Sequence, residues 1–243
     1  MFKKIAITLV GCLFAAHSHA VIIGGAVTDI GSGALYPDAF DQGGIFQLLT
    51  LPFNPPAGPA NTVGNDTFQT PNLYGFNEGQ NILLASDLMT NIGGTVASGT
   101  TIASHYVFFD PDDSTAQQGY VDFDSNIIAV ITSTNLLAAS DNLLNNNVTY
   151  LNPGARGLEP AQDTVWIGTG TETNRLYVDW LASTPGDFVR VITEFSVGGQ
   201  DPCATNPPGV GGCPAISTDG PSTMSMILIF FTGLAYANRR RFK

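Results

Sequence analysis

From Arg175 to Leu181 the residues alternate: Leu176, Val178 and Trp180 fall on one side, and Arg175, Tyr177 and Asp179 on the other. A period of two belongs to an extended strand with one buried face; a helix would scatter these residues around its axis. Phe188–Phe195 (FVRVITEF) is a second such segment, richer in β-branched residues. Ser104–Phe109 and Tyr120–Thr132 read as two further strands, and Val21–Val27, Gly44–Leu51 and Thr164–Ile167 as shorter ones. Between them lie turn-forming residues, supplied by 27 Gly and 15 Pro in 243 residues. This pattern predicts an all-β domain, an antiparallel β-sandwich of jelly-roll-like architecture, with a short helix over Asn135–Leu144. Residues 52–80, rich in Pro, Gly and Asn, read as a long surface loop crossing the sandwich.

The two ends of the chain follow other rules. Lys3 and Lys4 precede an apolar run from Ile5 to Ala16, and Ser18-His19-Ala20 places small residues at −3 and −1 of a cleavage point. Residues 1–20 therefore read as a secretory signal helix, handled by the Sec translocon and a signal peptidase. Within it, Leu9-Val10-Gly11-Cys12 offers a competing lipobox reading. At the other end, Met224–Asn238 is a 15-residue, uncharged and mostly apolar run, followed at once by Arg239, Arg240, Arg241 and Lys243. It reads as a short transmembrane helix whose basic end stays cytoplasmic. The expected organisation is a signal peptide (1–20), an extracytoplasmic β-sandwich (21–198), a Gly/Pro-rich stalk (199–218) and an anchor segment (219–243).

Charge sharpens this division. Six of the nine basic residues sit in the two end segments; between Lys4 and Arg239 only Arg156, Arg175 and Arg190 remain, with all 20 acids, for a formal charge of −17. Such a surface has no basic patch for a nucleic-acid partner and keeps an exported domain soluble. The abundance of Val, Ile, Leu and Phe excludes a disordered chain.

Asp219-Gly220-Pro221-Ser222-Thr223, then the apolar run, then Arg239-Arg240-Arg241, resembles the PEP-CTERM class of sorting signals. The family's Glu is replaced by Gly220, and Asp219-Gly220 is similar to the variant class with an Asp-Gly core. The order of segments from Ser104 to Thr193 is also similar to a body domain often carried with such tails. The resemblance implies an exported protein of a Gram-negative, exopolysaccharide-producing bacterium. It implies transient anchoring in the inner membrane, processing by an exosortase-like enzyme, and residence on the cell surface or in the extracellular matrix. It implies no reaction.

Few residues point to chemistry. Cys203 and Cys213, in an exported chain, are expected to form a disulfide closing the stalk. Asp110, Asp112 and Asp113 lie in a turn between two strands, and Asp122 and Asp124 share one face of the second. If those strands pair, the five carboxylates converge and calcium is the cation they would hold; the spacing is not that of an EF-hand. His105, the only histidine outside the signal, reads as structural. Arg156 with Glu159, and Arg190 with Asp187, read as ion pairs fixing loops. The expectation is a biofilm- or exopolysaccharide-associated surface protein without catalytic activity or obligate cofactor. The alternative is a carbohydrate-binding module or glycosidase, with Tyr36, Tyr74 and Tyr120 as rings on which sugars stack.

Overall fold

The computed structural model describes residues 20–31, 34–144 and 147–195. All of the signal peptide but Ala20, the stalk with Cys203 and Cys213, and the tail from Asp219 to Arg241 lie outside the described residues. The described part is mostly β, with strands β1 (Ile22–Val27), β2 (Phe46–Leu48), β3 (Thr62–Val63), β4 (Leu73–Leu83), β5 (Thr101–Phe109), β6 (Thr115–Phe123) and β7 (Ile127–Ile131). Helix α1 (Thr134–Leu144) follows, then β8 (Thr149–Tyr150), β9 (Thr164–Ile167), β10 (Arg175–Ala182) and β11 (Asp187–Glu194). Among the described residues no helix is long and apolar enough to cross a membrane.

A four-stranded antiparallel sheet has the order β1-β6-β10-β9. A five-stranded sheet has the order β2-β4-β5-β11-β7 and is antiparallel except for the β2–β4 pair. A small parallel ribbon joins β3 to β8. The alternation at 175–181 is realised as read: Leu176, Val178 and Trp180 are buried and meet Val107, Phe109, Val189 and Val191 of the other sheet in one apolar cluster.

The five-stranded sheet is covered on its other side too. Phe76, Tyr106, Phe108, Phe188 and Ile192 pack there against Phe53, Val63, Phe68, Leu137 and Val148. This second core holds a run of aromatic pairs, among them Tyr74–Phe108 and Phe108–Phe188, stacked at 5.1 and 5.6 Å. Strands β5 and β11 are therefore buried on both faces, and Phe188–Phe195 is not the half-exposed strand its alternation suggests.

Two further expectations are corrected. Tyr120–Thr132 is not one strand: it breaks at Asp124-Ser125-Asn126, where the chain passes from the four-stranded to the five-stranded sheet. The polar break is tied down locally: Asn126 Nδ2 donates to Glu194 Oε2 at 2.8 Å, and Asn126 Oδ1 accepts from Thr173 Oγ1 at 2.6 Å. Residues 52–80 are not all loop. They hold β3 and most of β4, while Phe53 and Phe68 are core residues.

A buried ionic network joins α1 to the five-stranded sheet. Arg190 donates to both oxygens of Glu78 (2.7 and 2.6 Å), to Leu137 O (3.0 Å), to Ser140 Oγ (2.6 Å) and to Asp141 Oδ1 (3.1 Å). All five of its N–H groups are thereby used. Arg156 pairs with Asp141 and donates to Tyr106 Oη at 3.1 Å. His105 is buried between Asn77 Oδ1 (2.8 Å) and Thr193 Oγ1 (3.1 Å), and burial pushes its pKa down to about 3, so it is a neutral structural residue as expected.

Candidate functional site

The outer face of the four-stranded sheet carries Arg175, Tyr177 and Asp179 from β10, Tyr120 and Asp122 from β6, and Trp166 from β9. Register places Tyr177 opposite Tyr120 on one side and opposite Trp166 on the other. The three rings form a cross-strand row, the unit by which sheets align side chains. Trp166 and Tyr177 stack with centroids 5.2 Å apart and planes 13° apart; Tyr177 meets Tyr120 edge-on at 6.4 Å. The Arg175 guanidinium lies over Tyr120, 3.8 Å from its centroid. All four side chains are half-buried, open on their outer side.

Polar groups border this row. Arg175 donates from Nε and from one terminal nitrogen to the two oxygens of Asp122, at 2.6 and 2.8 Å, and reaches Glu172 at 3.4 Å. The Tyr177 hydroxyl donates to Glu172 at 2.9 Å. Strand β1 places Gly24 and Ala26 beside Asp122 and Tyr120, with exposed Ile23 at the bulge between Ile22 and Gly24, and a side chain at Gly24 would meet nothing within 4 Å. A shallow floor thus runs alongside the aromatic ridge.

The rest of this face is closed. Residues 28–31 and 34–42 lie across Gln118 and Asp179: Ile30 N–H donates to Gln118 Oε1 at 3.3 Å, Leu35 N–H donates to Asp179, and Gln118 donates to Tyr36 O. Gln118 and Asp179 are fully buried under it. Among the described residues, the end with Tyr120, Tyr177, Trp166 and Arg175 is left partly open.

Of the three tyrosines singled out from sequence, only Tyr120 belongs to this row. Tyr74 is buried in the second core, hydrogen-bonded to Thr70, and Tyr36 sits in the covering segment. Tyr177 and Trp166 were not among the rings expected to stack on sugars, although the outward parity of Tyr177 was visible in the alternation that marked its strand.

The five aspartates expected to hold calcium do not assemble. β5 and β6 lie in different sheets, so the turn joining them is not a hairpin. Asp112 and Asp113 are exposed in that turn, while Asp122 and Asp124 sit at the far end of β6. About 23 Å of extended chain separates Thr115 from Asp122. Asp122 is paired with Arg175, Asp124 accepts from Val21 N–H at 2.8 Å, and buried Asp110 accepts from Phe68 N–H at 3.0 Å. Burial, then the nearby Asp66, raises the Asp110 pKa to about 6 against the pull of its backbone hydrogen bonds.

A different acidic group forms instead. Glu159, Asp163 and Asp187 each place a carboxylate oxygen within 4.8 Å of the other two. The expected Arg156–Glu159 and Arg190–Asp187 pairs are not formed; both arginines turn to Asp141, and Arg190 to Glu78 as well. Burial first, and then Asp163 and Glu159, raises the Asp187 pKa to about 9, and burial raises that of Asp163 to about 6.

Comparison with models of known protein families, with curated proteins and with solved structures finds no match.

Proposed function

We propose that this is an exported, non-catalytic surface or extracellular-matrix protein that holds polysaccharide on its aromatic face. The observation that carries the reading is the open row of Trp166, Tyr177 and Tyr120 beside Arg175, Asp122 and Glu172. The apolar C–H face of a sugar ring suits the negative face of an aromatic ring, and arginine and carboxylates hydrogen-bond its hydroxyls. Both carboxylates here are tied to Arg175, an arrangement that favours recognition over proton donation, and hence a binding module over a glycosidase. The acidic body repels anionic polymers, so neutral glycans are the expected ligands.

Delivery and retention rest on the two end segments. The signal peptide directs export, and the segment Asp219–Thr223 with Arg239–Arg241 makes the chain a substrate of an exosortase-like enzyme after transient anchoring in the inner membrane. A disulfide between Cys203 and Cys213 stiffens the stalk. The body reads as a jelly-roll-like sandwich, a reading supported by the way the chain passes between sheets at β5–β6, β6–β7 and β10–β11.

Affinity electrophoresis in gels cast with neutral polysaccharides tests the binding reading. The protein is expected to be retarded in at least one, and Trp166→Ala and Tyr177→Ala to lose the retardation while keeping the native thermal midpoint. Retardation that survives both changes, or none in any polysaccharide tried, sinks it.

A further inference from the structure

We propose that Glu159, Asp163 and Asp187 form a calcium site that fastens the loop before β9 to the first residue of β11. The site is independent of what the aromatic face holds. Two oxygens that share a calcium ion, each at about 2.4 Å, lie at most about 4.8 Å apart, and these three carboxylates meet that limit mutually.

Asp187 supplies the independent sign of a missing ligand. It is 2% exposed, and its Oδ2 is buried without a hydrogen-bond partner. A buried acceptor left without a donor is costly, and a cation at the point where the three carboxylates meet would relieve it. Asp163 is already positioned for the task, its two oxygens held by Glu159 N–H at 2.6 Å and Leu181 N–H at 3.0 Å.

Among the described residues no protein cation is available to neutralise the group. The body has no lysine, and Arg156, Arg175 and Arg190 make their ion pairs with Asp141, Asp122, Glu172 and Glu78. Three hard oxygen donors, with neither histidine nor cysteine among them, suit calcium rather than zinc or copper. Glu159 is exposed, so water has room to complete the six to eight ligands that calcium takes. The competing arrangement is a set of carboxyls that share protons and need no metal.

The test uses the full chain, stripped with a chelator and titrated with calcium chloride by calorimetry and by thermal unfolding. Binding is expected at up to millimolar calcium, with the midpoint rising by about 3–6 °C at ten times Kd. Glu159→Gln, at an exposed position, should weaken binding at least about tenfold; Asp187→Asn should abolish it. No heat and no shift in the wild type would overturn the proposal, as would an undiminished response in Glu159→Gln. A midpoint that rises on acidification but not with calcium would overturn it in favour of shared protons.

Discussion

Arg190 is buried completely, and its five donors tie β11 to two other elements: Glu78 in β4, and Leu137, Ser140 and Asp141 in α1. Removing one partner of a buried pair strands the other charge, at a cost of about 3–5 kcal/mol. Arg190→Met should therefore lower stability by that amount in urea unfolding, and adding Glu78→Gln should recover part of the loss. Asp110 makes a second prediction. Its native pKa, about 6, lies above its ordinary 3.8 because of burial, with Asp66 the charged neighbour. The folded state thus holds this proton more tightly than the unfolded one. Its contribution is full below about pH 4 and is lost as pH rises through about 6. Asp110→Asn should flatten that stretch of the curve of unfolding midpoint against pH. Neither residue's role is legible locally. Arg190 sits three residues from Asp187 in sequence, yet its partner Glu78 is 112 residues away. The charge of Arg190 within FVRVITEF marks it as an outward residue, and only the layer formed by residues 49–70 and α1 makes that position interior.

Strand β10 carries its pattern because one face meets the opposing sheet and the other stays partly wet; β9 and α1 were legible for similar reasons. β4 was not. Its sequence, LYGFNEGQNIL, holds two glycines, and its pairing with β5 shifts register between Asn77 and Gly79 and again before Ile82. Each bulge interrupts the period of two on which a strand is recognised. The split between β6 and β7 was missed for another reason. Hydrophobic residues continue on both sides of Asp124–Asn126, and nothing in that continuity says that the two halves enter different sheets. The same limit undid the expected gathering of Asp110, Asp112 and Asp113 with Asp122 and Asp124, which required β5 and β6 to form a hairpin. Packing of β1 on β6 offers a test at this scale. A Cβ on Gly119 would lie 2.2 Å from Ala26 O. Gly119→Ala should cost about 1–3 kcal/mol and raise amide exchange chiefly in β1.

At the largest scale the described residues stack in three layers: the four-stranded sheet, the five-stranded sheet, and a cover made of residues 49–70, the β3–β8 ribbon and α1. The aromatic row lies on the outermost of these, on the side away from the cover. The sorting reading is tested by the intact mass of the surface form, which should lack residues 1–20 and the apolar tail; retention of 224–243 would rule out processing. The scarcity of basic residues has a further consequence. Trypsin-like proteases cut only after lysine or arginine, and between Lys4 and Arg239 the chain offers three such bonds. Arg156 and Arg190 are fully buried, and Arg175 opens a strand paired on both sides. In a trypsin time course the folded body should persist as a single band while the denatured chain is cut at all three. Wherever proteases of this specificity act, such a domain would outlast neighbours that display ordinary lysines.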